Sequence, residues 1–410
     1  MLKSYSEILR LPGAWQFSLA GAVLRLPMSM VGISIILLVK ATYGNYTLAG
    51  AVAASNIIAL AFAAPPLARL VDRYGQRRVM GPALAVSVAA LIAFTVAASL
   101  AAPVWLLFVL AAIAGATWGS PGALVRSRWK SVSRTSQHLS SAYALEAAVD
   151  EVIFITGPIL STVLGALIHP SVGLILSALF LAFGGLVFLS QRSTEPVLLP
   201  VTSHTEKQRS VLRDPVVLVL IVTYVGAGAL FGANDVSVLA FTEERGVPAM
   251  SGVLLALMAA GSLVSALIYG ARTWLQPLWK LFAVGVVALT LGVSTFLFAH
   301  DIRVLGFALM LAGAACAPTL TNVNMIVTKV VPPAQLTEGL AWMSTAMNIG
   351  VSLGSAAAGP AVDTTDSHGG FLVMVAFAWF MVAVMLIGLP RLRRGVDAAE
   401  MRLHASIVAS

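Results

Sequence analysis

The chain is a succession of long apolar segments, and this pattern restricts its fold more than any other feature. Hydrophobic residues make up 59% of the 410 residues and charged residues only 10%. A soluble globular protein is about 45–50% apolar and about 25% charged, and a soluble chain with so few charges could not cover its own surface. At about 20 apolar residues per membrane span, the hydrophobic content suffices for about twelve helices. We therefore predict an all-α integral membrane protein with many spans.

Short polar or turn-forming joints between the apolar runs predict twelve transmembrane helices. Joints such as Ala102-Pro103 and His169-Pro170 suit antiparallel neighbouring helices. The first apolar run is too long for the core of a signal peptide, so we expect it to be a retained helix. The predicted spans are 15–40, 47–69, 79–101, 103–125, 139–168, 171–190, 215–241, 249–271, 279–299, 302–328, 337–362 and 370–390.

The distribution of Lys and Arg predicts the orientation in the membrane, because cytoplasmic loops carry an excess of these residues. If the N-terminus is cytoplasmic, all but four of the 25 cations lie on the cytoplasmic side, the exceptions being Arg25, Lys40, Arg245 and Arg303. The reverse orientation would place this excess on the wrong side. We therefore predict a multi-pass protein of the cell (cytoplasmic) membrane, with both termini in the cytoplasm.

The longest polar interval divides the chain near its midpoint. Residues 191–214 are rich in Ser, Thr, Glu, Lys, Pro and Arg, and they follow six predicted spans and precede six more. Such a composition is typical of a linker, and we expect its middle to be disordered. The predicted domains are an N-terminal six-helix bundle (1–190), a cytoplasmic linker (191–214) and a C-terminal six-helix bundle with a cytoplasmic tail (215–410).

Short matches between the halves indicate an internal duplication. Segment 44–50 begins and ends with glycine, as does segment 246–252, which lies 202 residues later and at the same place relative to its span. Gly157 in the fifth span matches Gly354 in the eleventh at an offset of 197. Because six is an even number, the second copy enters the membrane in the same orientation. Such parallel repeats meet around a site near the bilayer midplane and suit alternating access.

The loop between the second and third spans has the sequence Ala-Arg-Leu-Val-Asp-Arg-Tyr-Gly-Gln-Arg-Arg (68–78). Gly75 supplies the conformational freedom that a tight turn needs. Asp72 is the only acid among four arginines, and it can accept hydrogen bonds from cations or lie at the positive end of a neighbouring helix. We treat Asp72, Arg73, Gly75 and Arg77 as a candidate conformational lock. The alternative is a loop whose arginines serve only to set the orientation.

This loop resembles the G-x-L-a-D-r-x-G-r-k signature of the major facilitator superfamily. The matching residues are Leu70, Asp72, Arg73, Gly75 and Arg77. Ala68 stands where the family has its first glycine, and Gln76 stands where it usually has an arginine. With the span count, the central linker and the repeat, the resemblance covers the whole chain. It implies the family's fold of two parallel six-helix repeats and secondary transport.

A second signature, found in exporters of this superfamily, is partly present in the fifth span. The Gly157-Pro158 pair is there, but Ile153, Ser161 and Thr162 stand where the signature has glycines. Proline inside a helix removes a backbone hydrogen bond and bends the helix, and small residues allow another helix to approach closely. The resemblance favours export, and simple close packing of Gly157 and Pro158 is the alternative.

A third signature is absent from the fourth span. Many proton-coupled members have an arginine four residues before a glycine in this helix, but Gly115 precedes Gly119 here. The first arginine of the span is Arg126, at its inner end. This departure weakens the resemblance to the family's usual coupling mechanism.

Ionisable side chains within the spans are candidate functional groups, because each costs about 2.5–3.5 kcal/mol at the membrane centre. Glu146 and Asp150 share one face of the fifth span, and Glu151 points roughly 100° away. Arg25 lies at a similar depth in the first span, so we expect it to pair with Asp150 or Glu146. Three carboxylates near one cation cannot all remain ionised cheaply, so one is a candidate proton carrier; a static ion-pair cluster is the alternative. Asp235 in the seventh span is a second candidate, or a hydrated helix end.

Other polar and aromatic residues in the spans are candidates for lining a substrate cavity. Amides in a span commonly either bond between helices or face a cavity, and deep tryptophans either pack or contact substrate. These candidates are Trp118, Asn234, Asn322, Asn324, Trp342 and Asn348.

The sequence predicts a secondary active transporter that moves a small, amphipathic molecule by alternating access, with proton-coupled efflux as the leading interpretation. A facilitator or proton symporter that imports a metabolite, and a lipid-handling membrane protein, are the alternatives. The chain has one cysteine, scattered histidines and no G-x-x-x-x-G-K-[ST] loop. We therefore expect no enzyme, cofactor, metal or nucleic-acid partner. The expected partners are the substrate, protons and the lipid bilayer, with the chain acting as a monomer.

Overall fold

The computed structural model describes residues 2–133, 135–196, 211–270, 274–332 and 336–408, and within these ranges the chain forms helices and turns but no strand. The described helices are α1 (Leu2–Leu9), α2 (Ala14–Arg25), α3 (Pro27–Tyr43), α4 (Tyr46–Tyr74), α5 (Gln76–Ser99), α6 (Val104–Trp118), α7 (Pro121–Val132), α8 (Ser136–Leu167), α9 (Val172–Ser190), α10 (Pro215–Glu244), α11 (Met250–Gly270), α12 (Leu278–Ser294), α13 (Ile302–Val330), α14 (Leu336–Thr364) and α15 (Ser367–Val408).

These helices match the predicted membrane spans. Eleven segments of the described chain are long and apolar enough to cross a membrane, two of them formed by the pairs α2–α3 and α6–α7. The predicted span 337–362, which is not among the eleven, corresponds to α14, a helix of 29 residues. The protein is therefore an all-α integral membrane protein, as predicted.

Two spans are broken where the sequence analysis predicted continuous helices. The first span is interrupted for one residue at Leu26, whose backbone stays right-handed helical, and Pro27 begins α3. The fourth span breaks after Gly119, whose φ of +73° is left-handed, and Pro121 begins α7. Proline suits the first turn of a helix because its missing N–H would have no helical partner there. The breaks matter for function because Arg25 ends α2 and Arg126 lies in α7.

The structure adds helix at both ends of the chain. Helix α15 continues to Val408, so the segment after the predicted end of the last span at 390 is helical. Residues 2–9 form the short helix α1. In the predicted linker, short 3₁₀ turns cover Arg192–Thr194 and Val211–Arg213. The remainder of the linker from 197 to 210, with Lys207 and Arg209, lies outside the described residues, as do Arg134 and Arg272.

The chain divides into two compact units, residues 1–203 with 247–256, and residues 204–246 with 257–410. The first division falls within the predicted linker, while segment 247–256 groups with the first unit. In the first unit α4 and α5 pack on α6, and α2 packs on α9. In the second unit α10 packs on α14 and α15, and α12 packs on α13.

Glycine contacts repeat between the units at offsets close to those found in the sequence. Gly115 of α6 touches the backbone at Asn56 of α4 so closely that a Cβ would overlap its carbonyl oxygen, and Gly313 of α13 makes the same contact with Met258. Likewise, an added Cβ at Gly157 of α8 would overlap a side chain of α3, and one at Gly354 of α14 would overlap the backbone of α10. Corresponding pairs of helices in the two units thus pack at corresponding glycines, which supports the predicted parallel repeat.

Candidate functional site

Arg25 is buried at the end of α2 and holds two carboxylates of α8. Its side chain is 1% exposed. Nη1 donates to Asp150 Oδ1 at 2.7 Å, and Nη2 donates to Glu146 Oε2. Nε donates to the carbonyl oxygen of Gly21 at 3.1 Å. A buried charge is costly unless it is paired and hydrogen-bonded, and Arg25 meets both conditions. The expected pairing with one of these acids is therefore made with both.

Glu146 is the fully buried acid of this cluster, with 0% of its side chain exposed. Its Oε1 accepts hydrogen bonds from Ser18 Oγ at 2.7 Å and from Trp129 Nε1 at 2.6 Å, while Oε2 accepts from Arg25. The Trp129 ring packs edge-on against Phe17, with ring centroids 4.8 Å apart. Glu146 therefore connects α2, α7 and α8, and both of its oxygens are satisfied.

Asp150 is the partly exposed acid, with a side chain that is 20% exposed. Its Oδ1 accepts from Arg25, and its Oδ2 accepts from Arg126 Nη2 at 2.9 Å. Arg126 is 41% exposed and reaches Asp150 from α7. Gly122 leaves room for this side chain, because an added Cβ would lie 3.0 Å from Arg126 Nη1 and 3.9 Å from Arg25 Cδ. Arg126, which the sequence analysis placed at the inner end of the fourth span and did not name among the site residues, therefore contacts this cluster.

The second arginine changes the charge count of the cluster. Two guanidinium groups, on Arg25 and Arg126, face two carboxylates, on Glu146 and Asp150, so the four groups are balanced when all are ionised. The sequence analysis expected three acids around one cation, and this count was wrong because Arg126 supplies a second cation. Glu151 is partly buried and makes no hydrogen bond or ion pair with any residue that the structure describes.

The loop between α4 and α5 contains the turn that the sequence predicted. Gly75 has a φ of +93°, which strongly favours glycine. Asp72, Arg73 and Arg77 are exposed. The guanidinium of Arg73 lies over the Tyr74 ring at 5.2 Å. Within the described parts of the chain Asp72 makes no ion pair, so its role in a lock stays a prediction.

The departure from the family signature at Gln76 is explained by a buried contact. The Gln76 amide donates to the carbonyl oxygen of Leu124 at 3.1 Å, and its oxygen accepts from Arg128 Nε at 2.9 Å. Arg128 is 0% exposed, lies over the Phe188 ring at 3.9 Å and donates to Thr194 Oγ1 at 3.0 Å. A neutral amide can accept a hydrogen bond from Arg128 here, whereas a second arginine would repel it.

The same loop and Arg128 make hydrogen bonds with residues that follow the sixth span. The backbone N–H of Arg77 donates to Glu195 Oε1 at 3.0 Å, and Arg128 Nη1 donates to the carbonyl oxygen of Gln191 at 3.0 Å. Neither Gln76 nor Arg128 was among the predicted site residues. The sequence signal that could have identified this contact is the neutral Gln76 in a loop that is otherwise rich in arginine.

In the second unit, Asp235 and Asn234 lie within α10. Asp235 is partly buried and makes no hydrogen bond or ion pair with the residues described. Asn234 is 2% exposed, and its side-chain oxygen has no hydrogen-bond partner among the residues described. Because consecutive residues on a helix point about 100° apart, the two side chains face different neighbours.

The other candidate cavity residues lie in mixed environments. Asn322 is buried and accepts a hydrogen bond from the Tyr269 hydroxyl at 2.7 Å, so it connects two helices of the second unit. Trp118 is buried, and its Nε1 has no partner among the described atoms. Trp342 and Asn348 are partly buried, and Asn324 is exposed.

Within the described chain, no group of three or more His, Cys, Asp or Glu side chains is placed to hold a metal ion.

A duplicated bundle of membrane-spanning helices with a buried, charge-balanced network defines a polytopic transport protein. The sequence profile of the Major Facilitator Superfamily matches residues 17–276, and the chain belongs to this family. A search of curated protein sequences found no match.

Solved structures of transporters share the fold at low sequence identity. A bacterial homologue of the iron transporter ferroportin, in an inward-facing state, has a TM-score of 0.72 and 15% identity over 93% of this chain and 99% of its own. The nucleoside transporter NupG has a TM-score of 0.69 and 14% identity over 92% of this chain and 98% of its own. The human organic anion transporter MFSD10 (TETRAN) has a TM-score of 0.65 and 14% identity over 91% and 98%.

Proposed function

We propose that this protein is a proton-coupled secondary transporter that exports a small amphipathic molecule by alternating access, and that Asp150 carries the proton. One observation carries the proposal. Asp150 joins guanidinium groups from α2 and α7 while 20% of its side chain remains exposed. A carboxylate in this position can exchange a proton with water and, in doing so, change the contacts between three helices.

Asp150 suits this role better than Glu146. Glu146 has no exposed side-chain surface and accepts hydrogen bonds from three donors. Protonating it would disturb every one of these bonds at a place that water does not reach. Asp150 accepts from two arginines and has an exposed edge. We therefore assign Glu146 to holding Arg25 and Asp150 to exchanging the proton.

Protonation of Asp150 changes the cluster in a defined way. A neutral carboxyl group loses the charge that strengthens its hydrogen bonds with Arg25 and Arg126. Arg25 keeps its pairing with Glu146, whereas Arg126, which is 41% exposed, has no other carboxylate in the cluster. One proton thus releases Arg126 and loosens α7 from α8. Hydrogen bonds to charged groups contribute about 1.5–3 kcal/mol each, enough to shift an equilibrium between two conformations.

Export of an amphipathic molecule is supported by two features. The Gly157-Pro158 pair of α8 resembles the exporter signature, and Gly157 packs directly on Ser29 of α3. The candidate cavity residues are tryptophans and uncharged amides, and Asn322 already has a hydrogen-bond partner. A sugar-like substrate needs many hydrogen-bonding groups, so these side chains favour a less polar molecule.

The experiment uses everted membrane vesicles with an imposed proton gradient and a pH-sensitive dye. A panel of amphipathic compounds is added to vesicles that contain wild type, Asp150→Asn or the control Glu151→Gln, which removes the neighbouring charge. We expect compounds to collapse the gradient with wild type and Glu151→Gln but not with Asp150→Asn.

Other outcomes point to other functions. Collapse in all three vesicle types would remove Asp150 from the coupling mechanism. If no compound collapses the gradient even with wild type, a facilitator or a lipid-handling protein becomes the better interpretation. Proton-driven uptake into right-side-out vesicles would establish a symporter instead.

A further inference from the structure

A cavity of about 500 Å³ lies at one end of the second unit, and its lining includes none of the predicted site residues. It opens where α11 ends and α12 begins, beside the last turns of α13. Its volume is within the range of about 300–1,000 Å³ that is typical of small-molecule sites. In the predicted orientation this end of the unit is cytoplasmic, so a molecule on its way out of the cell meets the cavity early in export.

Helix α13 presents a polar face beside this cavity. Thr321, Asn324 and Thr328 follow one another at three- and four-residue spacing, so they share one side of the helix, and all three are exposed. Toward the other end of α13, the exposed residues on this side are the apolar Phe307 and Met310. Polar side chains in a membrane helix face the protein interior or water rather than lipid. The polar stretch therefore indicates a face that meets water, and Thr321 connects it to the cavity, which it lines.

Two aromatic side chains form a fixed wall of the cavity. The rings of Tyr269 and Trp274 stack with their centroids 4.7 Å apart. Trp274 Nε1 donates to the carbonyl oxygen of Tyr269 at 3.0 Å, and the Tyr269 hydroxyl donates to Asn322 Oδ1 at 2.7 Å. Trp274 nevertheless remains 41% exposed. The pair thus offers an exposed ring surface whose orientation is set before anything binds.

The rest of the lining suits a flat, amphipathic molecule. Leu281 and Met325 supply apolar surface, and the flexible thioether of a methionine adapts to rings of different shape. Gln276 and Thr321 supply an amide and a hydroxyl group for hydrogen bonds. Lys329 also lines the cavity and already interacts within the chain. Mostly apolar and aromatic walls with a few polar groups are the composition of a small-molecule site.

We infer that the transported molecule contains a planar aromatic ring system and that it binds in this cavity with its ring stacked on Trp274. The inference rests on the proposed function and names the substrate class for it. Stacked aromatic rings attract each other beyond the effect of the area they bury. Because hydrogen bonds already hold Trp274 and Tyr269, little conformational freedom is lost on binding. Asp150 thus exchanges the proton in the first unit, and the cavity of the second unit recognises the ring.

The test measures binding to the purified full-length protein in lipid nanodiscs, with empty nanodiscs as the blank. The probes are naphthalene-2-carboxamide and its decahydro analogue, which share the amide group and the carbon skeleton but differ in having or lacking a flat aromatic face. Equilibrium dialysis of the labelled probes gives the two dissociation constants. We expect the aromatic amide to bind about two- to tenfold more tightly than the saturated one.

Variants place the effect on the cavity. Trp274→Leu should remove the preference for the aromatic amide, and Trp274→Phe should keep part of it because a smaller ring remains. Thr321→Met, which adds bulk at an exposed position of the cavity wall and leaves the stacked pair intact, should weaken binding of the aromatic amide by a similar factor. The control is Trp105→Ala, which removes a tryptophan that is 66% exposed on α6 and should bind both amides like wild type. The thermal unfolding temperature of each variant checks that it is folded.

Several results would overturn the inference. Equal binding of the two amides to wild type would do so without any variant, as would a preference in Trp274→Leu equal to that of wild type. If the preference persists in Thr321→Met and Trp274→Leu only lowers the unfolding temperature, the stacked pair has a purely structural role.

The outcomes for the site and for the proposed function can be separated in the vesicle assay. If aromatic compounds bind in a manner that depends on Trp274 but none of them responds to a proton gradient, the proposed function fails and the site remains. If aromatic compounds collapse the gradient equally well with wild type and Trp274→Leu, the proposed function stands and this inference fails.

Discussion

Arg126 Nη2 lies 2.9 Å from Asp150 Oδ2, and this pair connects the last helix of the fourth span to the middle of the fifth. The same carboxylate accepts a hydrogen bond from Arg25 on its other oxygen. Arg25 has a second acid to hold it, but Arg126 does not. The contact between α7 and α8 at this point therefore depends on the charge of Asp150.

Replacing Arg126 tests the importance of that contact. Arg126→Gln should slow proton-gradient collapse in vesicles by about 10- to 100-fold, because the lost hydrogen bond to a charged group contributes about 1.5–3 kcal/mol. The control is Lys130→Gln, which removes the same charge from an exposed position on α7. A rate for Arg126→Gln that equals that of Lys130→Gln would show that Arg126 has no part in coupling.

Glu146 should matter mainly for stability. Glu146→Ala leaves Arg25, Ser18 and Trp129 without their shared acceptor in a buried place, and breaking a buried pair costs about 3–5 kcal/mol. We expect a large fall in the unfolding temperature of the purified protein. Glu151→Ala, one turn away and without an ion pair among the described residues, should change it little. Equal unfolding temperatures for both variants would contradict the assignment of Glu146.

Parts of this cluster could be predicted from the sequence and parts could not. Arg25, Glu146 and Asp150 were expected to meet because charges in a span need partners and their depths agree. Arg126 was missed because counting along an unbroken fourth span places it at the inner end. The break at Gly119 and the glycine at position 122, which makes room for a long side chain, bring it to Asp150. Tertiary contacts of this kind leave only weak traces in the sequence.

Gln76 offers a test in which the family's usual residue should be harmful. Gln76→Arg would place a second guanidinium beside the buried Arg128 and remove the acceptor for Arg128 Nε. An unsatisfied buried group costs about 1–3 kcal/mol, and more when it is charged, so we expect a lower unfolding temperature. Arg78→Gln, a change at an exposed position of the same loop, is the control. A variant as stable as wild type would show that the Gln76 contact is dispensable.

The repeated glycine contacts predict matched effects in the two units. Gly115→Ala and Gly313→Ala should each lower stability by about 1–3 kcal/mol, because the added Cβ meets backbone of the neighbouring helix and forces it away. Gly32→Ala is the control, since a Cβ there has nothing within 4 Å. Thermal unfolding of the purified variants gives the comparison. Losses at only one of the two matched sites would argue against equivalent packing.

The sequence patterns predicted the duplication, but they did not predict which polar side chains contact other helices. Glycines matched at nearly constant offsets predicted the repeat, because a close helix contact leaves no room for a larger side chain. The same patterns did not distinguish Asn322, which bonds to Tyr269, from Asn324, which is exposed. Which face of a helix meets a neighbour depends on packing, and a uniformly apolar span has no polar side to indicate it.

The most direct test of the central claim compares two modes of transport in liposomes that contain wild type or Asp150→Asn. One mode is exchange of labelled for unlabelled substrate without a gradient, and the other is accumulation driven by a proton gradient, using a compound that collapses the gradient in vesicles. We predict that Asp150→Asn keeps exchange at a rate near that of wild type and loses accumulation. Accumulation equal to that of wild type would contradict the assignment of the proton to Asp150.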